Sequence, residues 1–362
     1  MSSAPINVAD YEALARERMS PGAFDYYAGG AGDEQTLAAN LTEFRRVFLR
    51  PRVLVDTSGL DCSTELFGAR IAMPILVAPT AFHRLAHPDG ELATARAAGA
   101  AGTIMCVSTV ASHPLEAIAA AATGPLWFQL YVYKERALTE QLVRRAEAAG
   151  YRALVLTVDT PMLGRRERDA RNAFQLPEGI TLGNFAADHP LVARPAPDGG
   201  HADFQSYIQY FFDGTLTWES IAWLRSITRL PLLVKGVLTA EDARHAVHAG
   251  VAGIIVSNHG GRQLDGAVPT LRALPDVADA VGRAVPVLMD GGVRRGVDVL
   301  KALSLGADAV LVGRACLWGL AAAGEPGVRH VLDLLRGELE LAMALAGTPT
   351  LKAVSRSMAS IE

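Results

Sequence analysis

Eight short apolar runs recur along this chain, and they restrict its fold more than any other feature. They cover 75–78, 103–107, 127–132, 154–158, 232–234, 253–256, 285–289 and 309–312. Each has strand length and is rich in β-branched residues, and polar residues do not alternate within it. Such runs suit strands buried on both faces, as in a parallel sheet covered by helices. Between most of them lie Ala-rich amphipathic stretches at 90–98, 114–122, 136–148, 218–228, 240–249, 271–283 and 295–305. A weak internal repeat links the two kinds of element: AAGAAGTIMC, AAGYRALVLT, HAGVAGIIVS and SLGADAVLVG each end a helix in Gly and start a strand a few residues later. Glycine suits a helix C-terminus because it adopts a left-handed backbone without steric penalty. Eight such units predict a closed (β/α)8 barrel, the TIM-barrel architecture, with an open doubly wound sheet as the alternative.

The flanking regions are read as parts of the same single domain, residues 1–362. Residues 1–70 look helical and irregular. Val8, Tyr11, Leu14 and Ala15 share a helical face, Pro21-Gly22 closes that segment, and 33–44 forms another helical candidate. The barrel occupies 71–345 and a tail occupies 346–362. A Gly/Pro-rich stretch at 177–216 interrupts the rhythm between the fourth and fifth strands and reads as a loop or lid over the site.

Composition excludes several classes. With 50% hydrophobic and 20% charged residues over 362 positions, the chain can bury a large core and is not disordered. A net charge of −4 gives no whole-chain reason to expect nucleic acid as a partner. No apolar run is long enough for a membrane span, and no signal peptide is apparent. The three cysteines, Cys62, Cys106 and Cys316, form no CxxC pair, so neither a disulfide framework nor a zinc site is expected, and Cys106 and Cys316 read as small core residues. The expectation is a soluble cytoplasmic protein without a metal.

Barrel enzymes carry their chemistry at the C-terminal ends of the strands. Here those ends carry Pro79-Thr80-Ala81, Ser108, Gln129 with Tyr131, Thr157-Val158-Asp159 followed by Arg166, Lys235, the turn 257–262, Asp290-Gly291-Gly292-Val293-Arg294, and Gly313-Arg314. Glycines with Arg294 and Arg314 after the last two strands form an anion site in miniature, at the usual phosphate cradle of such barrels. Lys235 reads as a structural ion pair, a fixed positive charge, or a Schiff-base lysine. His259, in a Gly-flanked turn, is the best base candidate, with Asp159 placed to hold one ring nitrogen; a satisfied core histidine is the competing reading. His83, His87, His113, His245 and His248 show no partner pattern. Arg166 and Arg262 are two forks able to grip a small carboxylate, unless one of them only pairs with an acid.

Taken together, SNHGGRQLD (257–265), LVKGV (233–237), DGGVRRGVDVLKAL (290–303) and VGR (312–314) resemble the FMN-dependent 2-hydroxy-acid oxidase/dehydrogenase family, which includes glycolate, lactate and mandelate oxidases and the flavin domain of flavocytochrome b2. FDYYAGGAGDEQTL (24–37), APTAFHRLAHPDGE (78–91), FQLYVYK (128–134) and TVDTPMLGRRERD (157–169) match as well, so the resemblance spans nearly the whole chain.

The resemblance implies FMN as cofactor. Pro79, Thr80, Ala81, Ser108, Gln129 and Thr157 would line its ring system, with Lys235 near the pyrimidine side and Ser257 at the ribityl chain. Asp290, Gly291, Gly292, Val293, Arg294, Gly313 and Arg314 would hold ribityl hydroxyls and phosphate. His259 would be the base with Asp159 behind it, Arg166 and Arg262 would clamp the substrate carboxylate, and Tyr26 and Tyr131 would bond the substrate. The implied reaction takes an (S)-2-hydroxy acid to a 2-keto acid and reduces O2 to hydrogen peroxide. A soluble dehydrogenase or a monooxygenase is the alternative, and an FMN-dependent isomerase, a phosphate-binding barrel synthase or a non-catalytic flavin carrier lies further off. A homotetramer or octamer is implied too.

One departure stands out: glycolate oxidase has a tryptophan where this chain has Val110, which predicts a pocket for side chains larger than hydrogen, as in lactate, longer aliphatic acids or mandelate. The 177–216 segment, with His189, Arg194, Asp198, His201 and Asp203, lacks the apolar membrane-binding insertion of membrane-bound mandelate dehydrogenases, and there is no haem domain. Both features favour a soluble oxidase.

Overall fold

A computed structural model describes residues 4–186, 189 and 211–362. Eight parallel strands close into a barrel: β1 (Ile75–Val77), β2 (Met105–Ser108), β3 (Leu126–Leu130), β4 (Leu154–Thr157), β5 (Leu232–Val237), β6 (Gly253–Val256), β7 (Val287–Asp290) and β8 (Ala309–Val312). The seam is the β8–β1 pairing, with Val310 opposite Ile75 and Val312 opposite Val77. Closure rules out the open sheet.

Side-chain alternation explains the continuous apolar runs. Leu76, Ile104, Cys106, Trp127, Val155, Leu233, Ile255, Leu288 and Leu311 point inward and form the barrel interior. Their strand neighbours, such as Ile75, Val77, Met105 and Val310, belong to the larger core beneath the helices. Both faces are dry, so neither tolerates polar alternation.

The N-terminal region contains more regular structure than its sequence predicts. Helix α1 (Val8–Arg18) is capped by the Asn7 side chain, which accepts from the Asp10 N–H. Pro21 does not close that segment; it opens a second helix, α2 (Pro21–Ala28), capped by Ser20. Proline fits a first helical turn because its missing N–H has no helical partner there. Helix α3 (Gln35–Thr42) follows. A short hairpin (Thr64–Leu66 with Ala69–Ile71) inserts Leu66 and Ile71 into the barrel interior, with Phe67 edge-on to Trp127 at 5.5 Å. Val47–Leu49 pairs antiparallel with Ala359–Ile361 in the tail. Three-residue strands carry too little periodicity to be read from sequence.

After β8 runs a helical stretch, Arg314–Ala346, broken at Ala323 and Gly324 (φ 61°), which packs against α1 and Gly90–Ala100. Gly324 and Pro326 interrupt its pattern, which is why its sequence predicts no helix. All three cysteines are buried and free.

The described parts of the 177–216 segment are tied down. Gly183 N–H donates to the Ala111 carbonyl, and the Asn184 side chain bonds both the Leu115 N–H and the Thr109 carbonyl. At the far end Phe212 bridges to Tyr133. Arg194, Asp198, His201 and Asp203, and with them the reading of this segment as a lid, lie outside the described residues.

Candidate active site

The strand ends surround a cavity of about 1160 Å³, counted with its opening to solvent. Its position at the C-terminal face follows from the topology: every strand points the same way, so every post-strand loop converges there.

At the mouth, His259 sits in a turn with a left-handed backbone (φ 58°), followed by Gly260 and Gly261 in the same region. The turn aims the ring into the cavity. Its Nδ1 lies 2.9 Å from Asp159 Oδ1. Burial lowers the His259 pKa; Asp159 opposes that shift, while Lys235 and Arg166 add to it. The imidazole is therefore neutral at neutral pH, with Nε2 free to accept a proton. Burial alone would raise the Asp159 pKa, but the adjacent His259 and Lys235 outweigh it and keep the carboxylate ionised. The competing reading of His259 as a packed core histidine fails, because its ring lines the cavity.

Tyr26 reaches the cavity from α2, and Tyr131 reaches it from just beyond β3. Burial raises both phenol pKa values, so both remain proton donors. Tyr131 stacks on Phe212, with centroids 4.5 Å apart. Arg166 is buried, and its Nε has no partner among the described residues. Arg262 lies 5.2 Å over the Tyr26 ring and donates through Nη1 to the Tyr26 and Gly29 carbonyls. Burial and the neighbouring Arg166 push its pKa down to about 10.

The same cavity is lined by Arg294 and Arg314 together with Gly291, Gly292 and Gly313. The Arg314 guanidinium donates to the carbonyls of Tyr27, Gly260 and Gly29, which staples α2 to the His259 turn. Burial and then Arg262, Arg294 and Arg166 depress the Arg314 pKa. None of these four arginines pairs with a carboxylate among the described residues. Four clustered, mutually repelling cations, Arg166 buried and the other three half-buried, call for anions. Gly291 and Gly292 have φ of 95° and 84°, and a Cβ on Gly292 would fall 2.0 Å from the Asn40 carbonyl oxygen. Only glycine lets this turn pack so closely against the Asn40 carbonyl.

Lys235 is 3% exposed, with Nζ 2.9 Å from Ser257 Oγ and 3.2 Å from Asp290 Oδ2. It is at once an ion pair and a cavity-lining cation. Burial would lower its pKa, but Asp290 and Asp159 raise it, so it stays charged. A permanently protonated amine is a poor nucleophile, which removes the Schiff-base reading. Asp290 Oδ1 is buried without a partner among the described residues. Pro79, Thr80, Ala81, Ser108 and Val293 also line the cavity. Gln129, Thr157 and Ser257 stand behind the lining: Gln129 bonds Ser108 at 3.1 Å and Thr157 at 2.9 Å, and Ser257 accepts from Lys235 and from the His259 N–H.

These groups fit FMN. The arginine and glycine end suits a phosphate, the orphaned Asp290 oxygen suits a hydroxyl donor, and the neutral wall from Pro79 to Ser108 suits a planar ring.

Several lining residues carry no sequence signal of their own: Tyr27, Phe82, Leu163, Phe212 and Leu317. His83 corrects its sequence reading. Far from lacking partners, it is 1% exposed and its two ring nitrogens bond Thr80 and Thr94. Its partners are hydroxyls, which no spacing rule singles out.

Comparison with known proteins agrees with this geometry. The family model "FMN-dependent dehydrogenase" matches residues 15–361. Glycolate oxidase 1 of Oryza sativa subsp. indica is 53% identical over 351 residues, covering 97% of this chain and 94% of the relative. A peroxisomal (S)-2-hydroxyacid oxidase of Arabidopsis thaliana is 51% identical over 352 residues, covering 97% and 95%. Among solved structures, mandelate oxidase with (S)-4-hydroxymandelic acid superposes with a TM-score of 0.93 at 47% identity, covering 99% of both chains. On this match the chain belongs to the FMN-dependent dehydrogenase family, and its cofactor is FMN.

Proposed function

We propose that this enzyme oxidises (S)-2-hydroxy acids to 2-keto acids and passes the electrons to O2, releasing hydrogen peroxide. The observation that carries the proposal is the neutral His259, held by ionised Asp159 at 2.9 Å, in a cavity that also holds Arg166, Arg262, Tyr26 and Tyr131. Relatives named glycolate oxidase, (S)-2-hydroxyacid oxidase and mandelate oxidase support it.

FMN, when bound, supplies the two-electron acceptor that no side chain here can provide. Arg166 and Arg262 grip the substrate carboxylate. Tyr26 and Tyr131 donate to its oxygens. His259 Nε2 takes a proton from the substrate, and Asp159 stabilises the imidazolium that results. Lys235 holds a positive charge against the ring wall, beside Asp290 and Ser257. Thr80, Ala81, Pro79 and Ser108 face the ring, with Gln129 and Thr157 supporting them. Asp290 and the Gly291–Arg294 and Gly313–Arg314 loops hold the ribityl chain and phosphate.

Val110 lines the cavity with Leu163 and Phe212. An aliphatic residue there leaves volume for a substrate side chain, so lactate, longer aliphatic acids and mandelate are the proposed substrates. We further place the enzyme in the cytoplasm as a homotetramer. Among the described residues no helix is long and apolar enough to cross a membrane.

A peroxide assay over a panel of 2-hydroxy acids, both enantiomers included, tests the reading. Peroxide is expected from (S)-acids, abolished in His259→Ala while FMN stays bound. Reduced enzyme that reoxidises only slowly in air would overturn the oxidase assignment.

A further inference from the structure

Two non-glycine cavity residues hold a left-handed backbone: His259, and Phe82 at φ 53°. Such a conformation costs on the order of 1–2 kcal/mol and persists only where surroundings over-determine it. Around Phe82 they do. The Tyr27 hydroxyl donates to the Phe82 carbonyl at 2.6 Å. Phe82 N–H donates to the Val110 carbonyl at 3.3 Å. Glu91, 0% exposed, accepts from the His83 N–H at 2.9 Å and from Ser112 through both N–H (2.8 Å) and Oγ (2.7 Å). One buried carboxylate thus binds the loop after β1 to the loop after β2.

This bracing delivers the His83 ring to the back of the cavity wall. Nε2 lies 2.5 Å from Thr80 Oγ1, and Nδ1 lies 2.9 Å from Thr94 Oγ1. Thr94 itself donates to the Gly90 carbonyl one helical turn earlier, at 3.3 Å. Its oxygen therefore accepts from Nδ1–H, which leaves Nε2 a bare acceptor. Thr80 must then donate its only hydroxyl hydrogen to Nε2, away from the cavity. Burial lowers the His83 pKa and keeps the ring neutral, although Glu91 and a hydrogen bond to the Thr80 backbone oppose that shift.

We infer that His83 is a positioning residue for the cofactor: by taking the Thr80 hydrogen it fixes the Thr80 oxygen as a hydrogen-bond acceptor facing the FMN ring. An acceptor there favours the reduced ring, which carries more N–H groups than the oxidised one. The inference rests on the FMN assignment and not on which acid is oxidised.

The test is the midpoint potential of bound FMN, read by dye equilibration in the FMN-loaded protein and its variants. Thr80→Val and His83→Leu are each expected to lower the ratio of reduced to oxidised FMN at fixed poise about five- to tenfold, the span of one neutral hydrogen bond. For a two-electron couple that is about 20–30 mV more negative. The double variant is expected to shift no further, because both changes remove the same bond. His83→Gln, which can accept from Thr80 and donate to Thr94, is expected to stay within about twofold of the parent. Should His83→Leu fail to fold, His83→Asn, polar but too short to span both threonines, replaces it with the same expected shift. An unchanged potential in the His83 variants, or shifts that add in the double, overturns the inference. Dye equilibration needs no hydroxy acid, so a protein that binds FMN but oxidises none of the panel sinks the functional reading alone.

Discussion

Replacing Asp159 with asparagine isolates what the carboxylate does for the base. The Asp159→Asn amide keeps an oxygen within reach of His259 Nδ1, which lies 2.9 Å from the carboxylate Oδ1 in the parent, so ring orientation is retained. What is lost is the charge opposite the imidazolium. Two unit charges about 4 Å apart attract by roughly 4 kcal/mol at the effective dielectric of about 20 that suits protein sites. Part of that is recovered, because burying a neutral amide costs less than burying a carboxylate whose Oδ2 has no partner among the described residues. A net loss of about 3–4 kcal/mol corresponds to a fall in kcat/KM of roughly 10² to 10³. The pH profile supplies a second signature. Asp159 raises the His259 pKa against the lowering effect of burial. Its removal lowers that pKa further, so the acid limb of kcat/KM moves to lower pH while the plateau drops. Steady-state peroxide release from FMN-saturated enzyme between about pH 5 and 9 measures both. A plateau within threefold of the parent, or an acid limb displaced upward, would refute the reasoning, and FMN affinity is expected to be unchanged.

Val110→Trp fills the apolar side of the cavity; we expect kcat/KM for mandelate to fall at least tenfold relative to glycolate, and a preserved ratio across the panel contradicts the pocket argument. Gly292→Ala sets a Cβ 2.0 Å from the Asn40 oxygen at a φ of 84°, so weaker FMN retention on a desalting column and a lower Tm are expected; wild-type retention would show that the turn gives way. His83 and His259 both have pKa values lowered from 6.5 by burial, so the unfolded chain binds more protons than the folded one below that value. Stability is therefore complete above about pH 6.5 and declines as pH falls toward the lowered folded values; a Tm that stays flat from pH 7.5 to about 5 would contradict the buried neutral state of both rings.

The barrel was legible because its physics is local. A strand buried on both faces must be apolar at every position, and the eight runs show it; β6 (Gly253–Val256) and β8 (Ala309–Val312) coincide with their predicted runs. The helix at Arg136–Ala148 coincides as well. The candidate site was legible where chemistry and punctuation meet: His259 ahead of a Gly-Gly pair, Arg294 just after Gly291-Gly292, Arg314 directly after Gly313, Lys235 at the end of an apolar run. Legibility failed where meaning depends on a distant partner. Pro21 reads equally as a stop or a start. The hairpin that plugs the barrel is two three-residue strands. His83 acquires its partners only when the loop after β1 folds over Gly90–Ala100.

Sequence alone determined the architecture and the inventory of reactive groups, since burial periodicity and the choice of strand-end residues are properties of short segments. Tertiary structure alone decided which groups act together. Closing the barrel brought Asp159 within 2.9 Å of a histidine 100 residues away. It set four arginines near one another without carboxylate partners among the described residues, and it turned a histidine with no sequence pattern into the support of a cavity-wall hydroxyl. Those pairings depend on distances across the barrel mouth, and a linear pattern does not encode a distance until the strands have closed.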